Sequence, residues 1–395
     1  MICIAGKSDM AVDVAEHVMR HYPNERLVVI PNRNDPGKNT FQKSLQLFAR
    51  MNGLACIDLE QAGSHRDLLF LSLEFDRIIK PSKFASKRLF NIHFSRLPAY
   101  KGMFTSAWPI LNGEKTSGVT LHEIDAGIDT GRIIAQHEFP LAPTETVRTL
   151  WFRYVAEGTR LMIENLPALL ADRYRATVQP AEGASYYSRA SINYGALALD
   201  LNKTAVEIDR QVRAFAFREY QLPKVMGHPI SRARITETQS NLRPGNLVRE
   251  TERYLELATI DYNIELHKDH YDRFWAACAG NRLDEVKLLA GLVPDLEVKS
   301  REGWTALIMA AYHNALDVVD FLLQQGADVN ATNYNATSVV MYAKAGAVRD
   351  KSPDTLKRVL AAAPDLRHRD IFGKTVLDYV IDEDAELHAL ISRHL

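Results

Sequence analysis

A period of 33 residues runs through the last third of this 395-residue chain, and no other feature limits its fold as tightly. Leu283-Asp284-Glu285-Val286-Lys287-Leu288-Leu289 returns as Leu316-Asp317-Val318-Val319-Asp320-Phe321-Leu322, and Asp295-Leu296 returns as Asp328-Val329 at the same shift. A unit of that length cannot cover its own apolar face, so it persists only in a stack. Gly303 to Asn330 makes a nearly complete copy, another begins near Thr337 with an insertion around Lys351-Ser352-Pro353, and a truncated one starts at Gly373. Residues 270–395 are therefore expected to be an all-α repeat domain of about three and a half copies.

What precedes is too long for one typical domain of ~150 residues. Ile2-Cys3-Ile4-Ala5, then Gly6 and an amphipathic stretch from Val12 to Met19, reads as strand, turn and helix, with a second strand at Leu27-Val28-Val29-Ile30. Leu68 to Leu73 with Ile78-Ile79, and then Leu89 to Phe94, continue the alternation with helical patterns, the signature of a parallel sheet wound with helices. A Rossmann-like α/β domain is expected over 1–183. Gly6-Lys7-Ser8-Asp9-Met10 has neither the glycines of a dinucleotide fingerprint nor the upstream glycine of a P-loop, which argues against NAD or ATP. From 184 to 265 the chain changes character, and a small α+β connecting subdomain is expected. Within it, Thr204 and Glu207 have capping-box spacing for a helix ending near Phe217.

In Leu89-Phe90-Asn91-Ile92-His93-Phe94-Ser95, alternation sends Phe90, Ile92 and Phe94 to one face and Asn91, His93 and Ser95 to the other. A strand covered on both faces must find partners for such a line of amide, imidazole and hydroxyl groups, which marks an active site. Leu97, Pro98, Tyr100 and Gly102 follow, and Asp129 stands between Gly127 and Gly131, 36 residues beyond the histidine. This combination of Asn-x-His, Ser-x-Leu-Pro-x-Tyr-x-Gly and a glycine-flanked Asp resembles the folate-dependent formyltransferases. Lys101 departs from the Arg of many members, keeping the charge but not the planar fork.

Formyl transfer to an amine needs a neutral nitrogen, a stabilised oxyanion and a protonated leaving nitrogen. His93, with an ordinary pKa of ~6.5, suits the general base. Asn91 can offer an amide N–H to the oxyanion, a donor of a kind worth roughly 3 to 4 kcal/mol. Asp129 would orient the imidazole, hold its protonated form or relay a proton. Asp125 shares the turn, where Asp is common for local reasons, and the resemblance selects Asp129. Ser95 reads as a loop anchor, since no Gly-x-Ser-x-Gly elbow accompanies it.

The resemblance implies N10-formyltetrahydrofolate as co-substrate, its pterin held beside Leu73, Phe75, Ile78 and Ile79 with the Asp129 turn closing the other side. It implies that Tyr100, Lys101 and Met103 touch the acceptor. Phe217-Arg218-Glu219-Tyr220-Gln221-Leu222-Pro223 resembles a segment of the sugar N-formyltransferases, which adds Phe217, Tyr220 and Gln221; a ring with nearby Arg and Gln suits a thymine base and diphosphate. The acceptor so implied is a dTDP-linked 3-amino-3,6-dideoxyhexose destined for the O-antigen of lipopolysaccharide. The alternatives are a dTDP-4-amino-4,6-dideoxyhexose, methionyl-tRNA, or an interaction protein with a degenerate enzyme domain. The 33-residue period is that of ankyrin repeats, for which a protein partner is the usual ligand. Trp304 at a finger position, with Tyr312, His313 and Tyr334 near the concave side, gives a second reading, a holder for another nucleotide-sugar molecule.

Net charge −1 with pI near 6.9 and no run of like charges leaves no electrostatic footprint for nucleic acid or an anionic membrane. A tRNA enzyme would be expected to carry a basic surface. No stretch approaches ~20 apolar residues and the start lacks the apolar region of a signal peptide, so a cytoplasmic location is expected. Cys3, Cys56 and Cys278 are too scattered for a disulfide framework and read as buried free thiols. His267-Lys268-Asp269-His270 has no second ligand cluster and reads as a solvated linker, with no metal expected. A homo-oligomer stays open.

Overall fold

The computed structural model describes residues 1–380 and 384–395, which divide into two compact units, Met1–Lys268 and Asp269–Leu395. The first unit opens with β1 (Ile2–Gly6), α1 (Ser8–His21), β2 (Leu27–Pro31), α2 (Leu45–Met51), β3 (Ala55–Cys56), α3 (Leu59–Ser64), β4 (Leu69–Leu73) and β5 (Leu89–His93). Short β6 (Lys101–Gly102) and α4 (Trp108–Leu111) lead to β7 (Thr116–Glu123), β8 (Ile133–Pro140) and the 24-residue helix α5 (Val147–Leu170). After β9 (Tyr186–Tyr187) and α6 (Ala205–Phe215) come β10 (Lys224–Val225), β11 (His228–Ile235), β12 (Leu247–Glu250), β13 (Tyr254–Leu257) and β14 (Ile264–Lys268).

The central sheet runs in the order β3-β2-β1-β4-β5-β7-β8. β1 to β5 are parallel, as near-continuous apolar sequences require of strands covered on both faces. β7 and β8 are antiparallel, so the sheet is mixed where a parallel one was expected. The connection over 124–132 is shorter than the dozen or so residues that a crossover needs. Alternation in β1 sends Ile2 and Ile4 into one core with Phe90, Ile92 and α5, and sends Cys3 and Ala5 into another with Val28, Ile30 and Phe70. Ile78 and Ile79 are not strand: Ile79 packs into that second core and Ile78 is 71% exposed.

The second sheet is antiparallel in the order β10-β11-β14-β13-β12. Its Ile230, Leu255 and Leu266, with Ile208 and Val212 of α6, belong to the same hydrophobic core as Ile2 and Phe90. The Thr204 side chain accepts from Glu207 N–H and the Glu207 carboxylate accepts from Thr204 N–H, a cap worth about 1 kcal/mol. The helix ends at Phe215, close to the expected Phe217, where Ala216 turns extended and Phe217 pairs with Gln221. The solvated linker expected at His267 to His270 is corrected. His267 and Lys268 end β14, paired with β11 and β13, and the Lys268 ammonium donates to Glu250 at 2.6 Å while His270 is buried. Among the described residues no group of His, Cys, Asp and Glu is placed to hold a metal.

The second unit stacks α7 (Tyr271–Ala279) with α8 (Leu283–Ala290), α9 (Ala306–Tyr312) with α10 (Leu316–Gln324), and α11 (Val339–Asp350) with α12 (Asp354–Ala361), followed by α13 (Ala385–Ser392). The insertion lengthens α11 to 12 residues against 7 for α9, and Lys351 ends it in the left-handed region. Phe274, Leu307, Val318 and Leu356 share a core of their own, as stacked repeats require. Cys3 and Cys278 are buried as expected, but Cys56 on the edge strand β3 is exposed. No helix among the described residues is long and apolar enough to cross a membrane.

Candidate active site

In the antiparallel ladder of β5 and β7, Asn91 stands opposite His122 and His93 opposite Thr120. Ile92 and Leu121 point into the α5 core, so the polar side chains of both strands share the other face. His122 Nδ1–H donates to the Glu123 carbonyl at 2.7 Å, which leaves Nε2 to accept from the Asn91 amide at 3.0 Å. His93 Nε2–H donates to the Tyr100 carbonyl at 2.8 Å. In the neutral ring its Nδ1 is therefore left with the lone pair, and it lies 3.5 Å from Asp129 Oδ2. Asp129 Oδ1 lies 3.7 Å from His122 Nε2. Burial, opposed in part by Asp129, pushes the His122 imidazole down to about 4. Asn91, His93 and Asp129 are thus brought together, and His122 joins them unforeseen. A signal for it existed: Val119 and Leu121 alternate with Thr120 and His122, the same pattern that drew attention to β5.

Asp129 has φ +54 and accepts the Gly102 N–H at 2.9 Å, whereas Asp125 serves the turn by accepting from Gly127 N–H and the Thr130 hydroxyl. A side chain at Gly131 would fall 1.7 Å from the Glu123 carbonyl, so only glycine lets this turn close back onto β7. Ser95 anchors the loop after β5 by donating to the Ala99 carbonyl, and the Leu97–Pro98 peptide is cis. Tyr100 sits at φ +59, with its carbonyl on His93 and its hydroxyl on Glu114. β9 straps this loop through Lys101 N–H to the Ser185 carbonyl and Met103 N–H to the Tyr187 carbonyl, while the Tyr187 ring stacks between Tyr100 and Trp108. A Cβ at Gly102, where φ is +92, would lie 2.2 Å from the Tyr187 carbonyl.

Leu73 pairs with Ile92, so the chain after β4 leaves the sheet beside β5. The Leu73 and Ile79 side chains are buried, Phe75 packs edge-on to Phe70 under the Arg77 guanidinium, and Ile78 points outward. The Asp129 turn is steadied by Gln179, whose amide donates to the carbonyls of Asp129 and Gly131.

A crevice opens where the strand order reverses between β1 and β4, the usual ligand position in such sheets. Glu74 there accepts from the Ser8 hydroxyl at 2.6 Å and the Trp151 indole at 3.0 Å, and burial pushes its carboxyl up against the pull of Lys7. The Lys7 ammonium reaches the Tyr220 hydroxyl at 3.5 Å, and that hydroxyl accepts from Gln42 at 2.6 Å. Lys7, Lys38, Thr40, Phe41, Gln42 and Tyr220 help line an adjoining cavity of about 170 Å³. Phe217 is turned into the core at 3% exposure and the Gln221 amide is spent on the Phe215 carbonyl, so of these three expected acceptor residues it is Tyr220 that lines the cavity, together with Phe41. Lys101 and Met103 sit apart from it on the catalytic loop. Lys7 directly follows the first strand, which could have flagged it, but nothing in residues 38–42 marks them in sequence.

In the second unit the Trp304 ring lies 5.0 Å from Tyr312 and 6.5 Å from His313. Tyr342, not foreseen, is 4.9 Å from Trp304, and the Arg349 guanidinium sits 4.8 Å over Tyr312. Tyr334 lies against Gly303 with Lys299 over its ring.

A formyl transferase family model matches residues 67–166, and an ankyrin repeat model (3 copies) matches 255–333. Among solved structures the chain is similar to an N-formyltransferase from Helicobacter canadensis in complex with folinic acid and dTDP-3-aminofucose. The two are 42% identical, covering 68% of this chain and 99% of that one at TM-score 0.63. It is equally similar to WlaRD, a sugar 3-N-formyltransferase in the presence of dTDP and 5-N-formyl-THF, at 42% identity, 68% and 97% coverage and TM-score 0.63. Methionyl-tRNA formyltransferases of Burkholderia multivorans and Myxococcus xanthus are 41% and 36% identical over 126 and 125 residues, 32% of this chain in each case. The chain spans 38% and 39% of the length of these two relatives.

Proposed function

Because this chain belongs to the sugar N-formyltransferases and carries ankyrin repeats, we propose that it moves the formyl group of N10-formyltetrahydrofolate onto the amine of a dTDP-linked 3-amino-3,6-dideoxyhexose, for O-antigen synthesis. The observation that carries the reading is the meeting of Asn91, His93 and Asp129 on one polar face. His93 Nδ1 takes a proton from the substrate ammonium, and the resulting imidazolium is held by Asp129 at one nitrogen and the Tyr100 carbonyl at the other. Asn91 keeps one Nδ2–H for the oxygen of the tetrahedral intermediate, since its other goes to His122; as the intermediate collapses the bond from the formyl carbon to N10 breaks, the proton held on His93 passes to N10, and the second proton of the amine leaves to solvent. The backbone over 73–79 and the Asp129 turn flank the folate. Lys7 and Lys38 face the diphosphate and Tyr220 faces the base, a pairing of cation and ring suited to a nucleotide. The 3-amino position is favoured over the 4-amino one by the 42%-identical relatives, one bound to dTDP-3-aminofucose and the other a 3-N-formyltransferase. In the second unit, the ankyrin repeats suit a protein partner, and the alternative is a second nucleotide sugar held by Trp304, Tyr312 and His313 with Tyr334 on the neighbouring finger.

Turnover with N10-formyltetrahydrofolate is to be measured against a panel of dTDP-3-amino and dTDP-4-amino sugars. Transfer to a 3-amino sugar, reduced about 100-fold or more by His93→Asn, is the expected result. Full activity in that variant, or transfer to 4-amino sugars alone, would overturn the assignment.

A further inference from the structure

We infer that His122 is a positioning residue that fixes the Asn91 carboxamide, spending one amide N–H inside the protein so that the other is aimed at the reacting formyl oxygen. The inference rests on the reading of Asn91 as oxyanion donor and gives that donor its orientation. A free Asn side chain can present either its oxygen or its nitrogen, and both ends have nearly the same shape. Here the choice is made by a chain of bonds. The Glu123 carbonyl can only accept, so the hydrogen of a neutral His122 ring sits on Nδ1, 2.7 Å away. Nε2 then carries a lone pair and can only accept, which places the Asn91 nitrogen, not its oxygen, 3.0 Å from it. Because the amide is planar, fixing one N–H fixes the direction of the second.

The arrangement is built into the sheet. Asn91 and His122 are cross-strand neighbours in the β5–β7 ladder, so their backbones hold the pair in register. His122 is 2% exposed, which leaves no room for water to take over its role as acceptor. The Asp129 carboxylate is held 3.7 Å from its Nε2 and turned by Gly102 toward His93. A protonated His122 would put a hydrogen where the lone pair must be and evict the amide, and burial in the sheet works against that protonation.

The test uses the full-length enzyme, with formyl transfer measured for His122→Leu, His122→Gln, Asn91→Ala and the Asn91→Ala/His122→Leu pair. Loss of the acceptor in His122→Leu is expected to lower kcat by about tenfold to a hundredfold with KM for both substrates unchanged. The Gln carbonyl can accept the same N–H, so His122→Gln should recover most of that loss, and the double variant should be no slower than Asn91→Ala alone. Independent, multiplying losses in the double variant, or a rise in KM in place of the fall in kcat, would overturn the positioning role while leaving Asn91 as the donor. Full activity of Asn91→Ala would take down the donor reading and this inference with it. A measurement that needs no variant is the ¹⁵N spectrum of the His122 ring in the wild-type protein. Hydrogen on Nδ1 with an unprotonated Nε2 supports the inference, and the opposite tautomer would sink it.

Discussion

Burial of the His122 imidazole makes the folded state sensitive to acid, and the sign follows from where its pKa moves. The ring titrates at about 4 when folded and near 6.5 when unfolded, so between these values the unfolded chain binds more protons. Stability from this residue is complete above pH 6.5 and is lost as the pH falls toward 4, by about 3 kcal/mol in all. Urea unfolding of wild-type and His122→Gln protein at pH 7 and pH 4.5 should show wild type losing more, by roughly 2 to 3 kcal/mol. Equal losses would mean that His122 is charged or hydrated in the folded protein. Single residues of this kind were only half legible. Asn91 and His93 declare themselves because two polar side chains interrupt an apolar strand within one window. His122 lies 29 residues beyond His93, and only the register of β7 against β5 gives it a partner.

At the scale of elements, the strap made by β6 and β9 does what neither two-residue strand could do alone. It holds the Tyr100 carbonyl on His93 and the Gly102 N–H on Asp129. Gly102→Ala would place a methyl group 2.2 Å from the Tyr187 carbonyl at a φ of +92. The strand pair should part, with kcat reduced at least tenfold and stability lowered by about 1 to 3 kcal/mol. Wild-type kcat and melting temperature in the Gly102→Ala enzyme would show that the strap is dispensable. Elements fixed by neighbours were readable: the Thr204–Glu207 capping box starts α6 where the spacing put it, and α9–α10 sit on the 33-residue period. Elements fixed by distant pairing were not: the seeming linker at His267 became strand because β11 and β13 flank it. The cationic cavity gathers Lys7, Lys38 and Tyr220 from positions more than 200 residues apart, which no local pattern can announce.

At the scale of the molecule, the two units carry separate hydrophobic cores, one including Phe90 and Leu266 and the other Phe274 and Leu356. A chain ending at Lys268 should therefore fold and transfer formyl groups within a few-fold of the full-length rate. If the ankyrin unit holds the second nucleotide sugar proposed for it, calorimetry should then give one nucleotide-sugar site per chain for the shortened protein and two for the full-length one. Loss of turnover in the shortened chain, or an unchanged stoichiometry, would count against that division of labour. The two architectures were legible as strand-and-helix alternation and as a repeat. The shared core of residues 184–268 with the central sheet was not, since the gathering of Ile2 and Leu266 into one hydrophobic cluster leaves no trace in spacing. The strap has one more consequence, for the chain while it is being made. Tyr100 is tied to Ser185, 85 residues downstream, so a nascent chain that has already completed the whole central sheet still lacks a fixed catalytic loop. Synthesis thus passes through an interval in which the strands of the sheet are complete but the loop waits for its fastener.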